Sequence, residues 1–233
     1  MDGVRRAIEA VWRIESSRIV GRLARLLGDL CAAEELAQEA LVQALERWPE
    51  AGIPDNPGAW LMATAKNRAI DEVRRRALVA RKHEEIARDE EPAAAPDDDE
   101  VGDDVLRLML VACHPLLSIE ARVALALRLL GGLTTEEIAR AFLVAEPTIA
   151  QRIVRAKRTL SEARVPFEVP GGKELEERLT SVFQVIYLVF NEGYAATRGD
   201  DWMRPDLCAE ALRLGRNSRA GCPTIPRPTA SSR

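Results

Sequence analysis

Residues 133–160 read LTTEEIARAFLVAEPTIAQRIVRAKRTL, and their spacing decides the fold class. Thr134 and Glu137 stand at the spacing of a capping box, in which hydroxyl and carboxylate each satisfy a free backbone N–H. That predicts a short helix with Ile138, Ala139 and Phe142 on one face. Beyond a turn, Ile149, Ile153, Ala156 and Leu160 recur at i, i+4, i+7 and i+11, so a second helix buries one stripe against the first. Two short helices joined tightly form a helix-turn-helix, whose second helix can enter a major groove.

The other face of that second helix shows Thr148, Gln151, Arg152 and Arg155. These side chains can reach base edges: Arg pairs with guanine, Gln with adenine, Thr with either. Lys157 and Arg158 are better placed for phosphates, which position a helix without reading sequence. The plain alternative is a solvated amphipathic helix. Cap, turn and polar face agree with one another, and that agreement favours DNA.

So basic a helix is unexpected in a chain of net charge −4 and pI near 5.5. The charge is partitioned. Residues 84–104, EEIARDEEPAAAPDDDEVGDD, hold eleven acids against Arg88, a net of −10, so the remainder carries +6. With Pro92, Pro96 and three alanines in its middle, this run reads as a solvated, disordered linker. The flanking segments are free to be locally basic.

Hydrophobic residues make up 47% and aromatics only 4%, which favours helices over sheets. No apolar run approaches the roughly 20 residues of a membrane span. Charges interrupt the N-terminal MDGVRRAIEAVWRIE where a signal peptide needs an apolar centre, so a cytoplasmic location without membrane contact is expected. Cys31, Cys113, Cys208 and Cys222 are scattered and only His83 and His114 accompany them, so no metal-ligand spacing appears and no cofactor is implied. Cys113-His114 invites a nucleophile–base reading, but adjacent helical residues diverge, and a buried Cys beside a helix-end His fits better.

Before the linker three helices are legible. The first spans about Val4 to Leu27, with a break suggested at Ser16-Ser17. The second starts near Ala32 and ends before Pro49, with Ala33, Leu36, Ala37, Ala40, Leu41, Ala44, Leu45 and Trp48 along one face. The third opens with Asn56 as N-cap and Pro57 at the first helical position. It carries Lys66, Asn67, Arg68, Arg74, Arg75 and Arg76, with Trp60 near its start. Such a set can hold unpaired strands, since every base offers a face for stacking, although Trp60 taken alone is better read as buried. After the linker, DVLRLMLVACHPLL and SIEARVALALRLLGG read as two more helices ahead of the helix-turn-helix. Lys173 opens a further helix, and the last stretch, NSRAGCPTIPRPTASSR, has no periodicity.

Three of these segments resemble one family in the right order. Residues 54–76, PDNPGAWLMATAKNRAIDEVRRR, resemble the promoter-melting segment of the bacterial extracytoplasmic-function sigma factors, with Pro57, Ala59, Trp60, Leu61, Ala65, Asn67, Ala69, Asp71, Arg74 and Arg75 in register. Residues 33–48, AEELAQEALVQALERW, are similar to the family's polymerase-binding helix. Residues 133–160 are similar to its second DNA-binding domain. Two departures are visible: Ala145 stands where the family often has a serine cap, and Leu41 replaces a more usual aromatic.

The resemblance implies an all-α fold. A region 2 bundle (residues 1–83) and a region 4 helix-turn-helix (105–165) are joined by the acidic linker (84–104). A partial helical extension (166–216) and a disordered tail (217–233) follow. It implies that Glu35, Gln38 and Glu39, with Glu34 and Leu36 matching beside them, face core RNA polymerase at its clamp, with the flap a further contact. Asp55, Asn56, Trp60, Lys66, Asn67, Arg68, Arg74 and Arg75 would serve the -10 element, with a flipped base held by PEAGIPDN. Thr148, Gln151, Arg152, Arg155, Lys157 and Arg158 would serve the -35 element. Polymerase performs the chemistry, so no catalytic residues are expected; an anti-sigma partner is not legible. YLVFNEGYAA and DLCAEALRLGR resemble the start of a tetratricopeptide-like extension found in one subgroup, here shortened. Competing readings are a stand-alone helix-turn-helix regulator, an enzyme built on acidic residues, and a truncated, inactive sigma factor.

Overall fold

The structure is a computed structural model and describes residues 2–83 and 99–194. Its helices run α1 (Asp2–Leu27), α2 (Leu30–Ala51), α3 (Pro57–His83), α4 (Asp99–Ala112), α5 (Ile119–Leu129), α6 (Thr135–Ala141), α7 (Glu146–Glu162) and α8 (Gly172–Tyr194). No strand occurs among the described residues. The fold is all-α, as expected. Residues 84–98, the later part of the expected extension (195–216) and the tail (217–233) lie outside the described residues.

The first bundle is α1 to α3, each packed on the other two. Ile8, Ile19 and Leu23 of α1 are fully buried against an alanine seam on α2, Ala33, Ala37, Ala40 and Ala44. Methyl-sized side chains let the two axes approach closely, and Trp48 closes the far end of the seam. Leu61, Ala65 and Ala69 complete the core from α3. Both chain reversals are locally encoded. Gly28 takes φ +63°, and Asp29 then caps α2 by accepting from the N–H groups of Cys31 (2.8 Å) and Ala32 (3.2 Å). Asn56 caps α3 by accepting from Ala59 N–H at 3.0 Å.

The second bundle is built round α5, whose Val123 to Leu127 are all buried and which meets α4, α6, α7 and α8. Ser118 caps α5, and Thr134 with Glu137 forms the complete capping box of α6. Leu143 in the left-handed region (φ +52°) makes the tight turn into α7. From α8, Val182, Val185 and Val189 enter the core. Arg122 staples α8 in place. Its Nη1 donates to Ser181 Oγ (2.9 Å), which in turn donates to Cys113 O (2.5 Å), while Nε and Nη2 donate to Leu117 O and Pro115 O.

Three local expectations are corrected. α1 passes through Ser16-Ser17 without a break, because both serines are 2% exposed. They are small side chains at a close approach: a Cβ on Gly132 would lie 2.9 Å from Ser16 Oγ. α2 continues past Pro49 to Ala51, since a proline in the last turn removes one hydrogen bond there and Gly52, at φ +87°, ends the helix. The acidic run also stops being linker at Asp99, where α4 begins, and Asp104 is 1% exposed. Arg25 Nε (3.0 Å), Arg107 Nη1 (2.9 Å) and Arg22 Nη1 (3.5 Å) surround its carboxylate. A buried acid needs such compensation, which charge counting along the chain does not register.

Two of those arginines lie on α1, so the bundles are docked together. α1 packs along α4, with Gly21 so close that a Cβ there would meet Asp104 O at 2.8 Å. No helix among the described residues is long and apolar enough to cross a membrane.

Candidate nucleic-acid interface

The helix-turn-helix forms because its two faces differ in kind. Ile149, Ile153, Ala156 and Leu160 are buried against α5 and α6. Turned outward on α7 are Thr148, Gln151, Arg155 and Arg158, all exposed, with Arg152 half-buried at their margin. Arg158 Nε donates to Glu162 at 2.7 Å, and that exposed hydrogen bond raises the guanidinium's pKa. Arg152 lies close enough to Glu120 to lower that carboxyl, after the larger effects of Glu120's own backbone N–H and Ser118. Pro147 opens the first turn, and Ala145 supplies no side-chain cap.

Val154 joins this face at i+3 from Gln151 and is 64% exposed. It is not among the residues whose type and spacing pointed to base contact. An apolar residue off the 149/153/156/160 stripe was the available signal, and an exposed isopropyl among base-reading groups suits a thymine methyl.

Lys157 is not with them. It leaves the outer face and pairs with Glu34 of α2, its side chain only 18% exposed. Glu34 also accepts from Arg128 Nε at 3.1 Å.

The expected strand-binding residues spread along α3. Trp60 is half-buried, edge-on to Trp48 with ring centroids 5.4 Å apart and planes at 70°. Its ring is thus held from one side rather than loose in solvent. Asp55 and Asn56 are exposed at the helix entrance, although the Asn56 carbonyl is engaged in capping. Asn67 is exposed, Lys66 half-buried, and Arg68 is ion-paired with Glu39 of α2. Arg74 and Arg75 are exposed and lean on Asp71 (3.9 Å) and Glu72 (2.5 Å).

Of the residues expected to face polymerase, Glu35 is exposed, whereas Gln38 and Glu39 are half-buried. Glu35 and Gln38 continue into Val42 (51% exposed) and Leu45 (39%) at helical spacing. The result is a mixed polar and apolar stripe on α2. Val42 is a further candidate that sequence reasoning missed. It falls outside the buried alanine seam, which was the signal.

Cys113 and His114 form no catalytic pair. Burial pushes the Cys113 thiol up to about 12, so no thiolate exists near neutrality. Burial, reinforced by the neighbouring Arg178, lowers His114 to about 4, and its Nδ1 accepts the Leu116 N–H at 3.1 Å. Both groups serve packing. No cluster of His, Cys, Asp and Glu among the described residues is arranged to hold a metal ion.

Comparison with known proteins adds three regional matches. Sigma-70 region 2 matches residues 12–79, Sigma-70 region 4 matches residues 107–160, and a family of unknown function (DUF6596) matches residues 178–230. The uncharacterized protein R00370 of Rhizobium meliloti (strain 1021) is 44% identical over 84% of the chain and 48% of its own length. The ECF RNA polymerase sigma factor SigL of Mycobacterium tuberculosis is 31% identical over 63% of the chain and 82% of its own length. The probable ECF RNA polymerase sigma factor SigI of Mycobacterium tuberculosis is 28% identical over 70% of the chain and 57% of its own length. The chain thus spans about half the length of R00370 and SigI.

Proposed function

The chain belongs to the extracytoplasmic-function (ECF) RNA polymerase sigma factors, and from that premise we propose that it directs core polymerase to promoters through both bundles. The α2 stripe Glu35, Gln38, Val42 and Leu45, with Glu39 beside it, docks on the polymerase clamp, and α4–α7 approach the flap. Thr148, Gln151, Arg152 and Arg155 read the -35 element, Val154 meets a thymine methyl, and Arg158 contacts phosphate. The Trp60 ring, Lys66, Asn67, Arg68, Arg74 and Arg75 hold the -10 strand, with Asp55 and Asn56 at the pocket entrance. Polymerase supplies the chemistry, so the protein acts as a specificity subunit in the cytoplasm.

The observation that carries this reading is the outer face of α7: base-reading side chains exposed on a helix whose opposite face is locked into a core. Residues 1–83 act as region 2 and 105–165 as region 4, with α8 beginning a tetratricopeptide-like extension. The match starting at residue 178 and the anchoring of α8 on α4 and α5 support a further segment after region 4, without bearing on its tetratricopeptide-like character.

A promoter duplex carrying 2-aminopurine in the -10 element tests it. Fluorescence should rise, as the base unstacks, only when chain and core polymerase are both present. A stand-alone regulator would bind the duplex without polymerase and produce no rise.

A further inference from the structure

We propose that the outer face of α8, centred on Phe183 and Tyr187, is a docking surface for residues 206–216 of the same chain, DLCAEALRLGR, laid antiparallel along it. Such docking requires neither polymerase nor promoter and so stands apart from the sigma-factor reading.

α8 is apolar on two sides. Residues 182–190, VFQVIYLVF, hold eight apolar or aromatic side chains in nine, too many for one buried stripe. Val182, Val185 and Val189 are buried in the second bundle, with Arg178 and Ser181 on that same side. Phe183 and Tyr187 lie one turn apart on the other side and are 41% and 63% exposed. Glu176 and Thr180 continue their line toward the start of the helix, both exposed. A helix that is apolar on two sides needs cover on both.

Three features identify the cover. The family match that begins inside α8 at residue 178 runs on to residue 230, whereas the region 4 match ends at residue 160. α8 thus goes with the chain that follows it. The second feature is periodicity. Pro205-Asp206 is a helix-start signal, and Leu207, Cys208, Ala211, Leu212 and Leu214 fall on one face of a helical period, with Glu210 and Arg213 opposite and Gly215 as a stop. So short an apolar stripe is marginal unless it packs on a neighbour. The third feature is reach. The twelve residues between Tyr194 and Leu207 span at most roughly 40 Å, and Tyr187 lies only about 10 Å back along α8 from Tyr194. A segment tethered so closely has an effective concentration of about millimolar, well above that of a second copy in dilute solution.

With Leu207 nearest the end of α8, equal rise along both helices sets Ala211 beside Tyr187 and Leu214 beside Phe183. Arg216 then comes toward the exposed Glu176, so charge as well as apolar surface is matched in this direction.

Thiol protection in the full chain tests the docking. In a chain carrying Cys31→Ser and Cys222→Ser, Cys208 is the thiol open to alkylation, because Cys113 is buried. N-ethylmaleimide, followed by intact mass, should modify Cys208 about tenfold or more slowly than it does once Tyr187→Lys is added, with helical circular dichroism unchanged. Tyr187 is exposed, so its replacement leaves the buried valines in place. Direction is tested by Tyr187→Cys with Ala211→Cys, in a chain that also carries Cys31→Ser, Cys208→Ser and Cys222→Ser. Mild oxidation should close an intramolecular disulfide in a monomer. Equal Cys208 reactivity with and without Tyr187→Lys would overturn the proposal. So would a disulfide that forms only between two chains, or protection that arises only when core polymerase is added. The sigma-factor reading fails on a different result, the absence of initiation by wild type with core polymerase.

Discussion

His114, 9% exposed at the end of α4, shows how a single side chain records its surroundings. Burial, then Arg178, lowers it to about 4; Glu174 pulls the other way, and Arg122 again lowers it. The unfolded chain binds a proton near 6.5, so it takes up protons before the native state does. Stability is therefore complete above about 6.5 and falls as pH drops toward 4. Protonation would also break the bond from Leu116 N–H to Nδ1, which adds to the native state's resistance to taking up the proton. Thermal melts from pH 7 to 4 should show this slope in wild type and a flatter one in His114→Gln. On α7, Arg155→Ala should reduce discrimination between correct and altered -35 sequences by ~1–3 kcal/mol. Arg158→Ala should weaken every sequence alike and lower the salt-dependence slope by about 1. Fluorescence anisotropy of holoenzyme on -35 duplexes at several salt concentrations separates the two roles.

At the scale of elements, α6 and α7 differ in how they begin. α6 has a complete capping box, whereas α7 starts at Ala145 in extended conformation with no side-chain acceptor. Thr134→Ala should cost about 1 kcal/mol, and Ala145→Ser should stabilise by about 0.5–1 kcal/mol without touching the reading face. Urea titration of both variants measures this, with an unchanged m-value expected. These helices were legible because their signals are local: the Thr134/Glu137 spacing, the Ile149-to-Leu160 stripe, Asn56 before Pro57. Continuity at Ser16-Ser17 and Pro49 was not. Both depend on what lies opposite, a neighbouring bundle in one case and the end of the helix in the other.

At the scale of the whole molecule, the residues hardest to read were those that join the bundles. Asp104 belongs to an acidic run by composition and to a buried cluster by position. Lys157 follows the pattern of a phosphate contact yet pairs with Glu34. A charge pattern along one chain shows which groups carry sign, but not which partner far along the sequence neutralises them. The outward face of α7 was legible because a helix face is set by local period alone. Replacing Asp104 by Ala leaves Arg22, Arg25 and Arg107 without that shared acid. The docking of the bundles should weaken by about 3–5 kcal/mol. Calorimetry should show one broad transition dividing into two, whereas a single transition at the wild-type temperature would mean that the cluster contributes nothing to docking.

Mapping 5′ transcript ends made by core polymerase with and without the full chain tests promoter direction most directly. New starts should appear, each preceded by a shared pair of sequence elements, and Arg155→Ala should alter preference at the upstream one. An identical set of ends with and without the chain would contradict it.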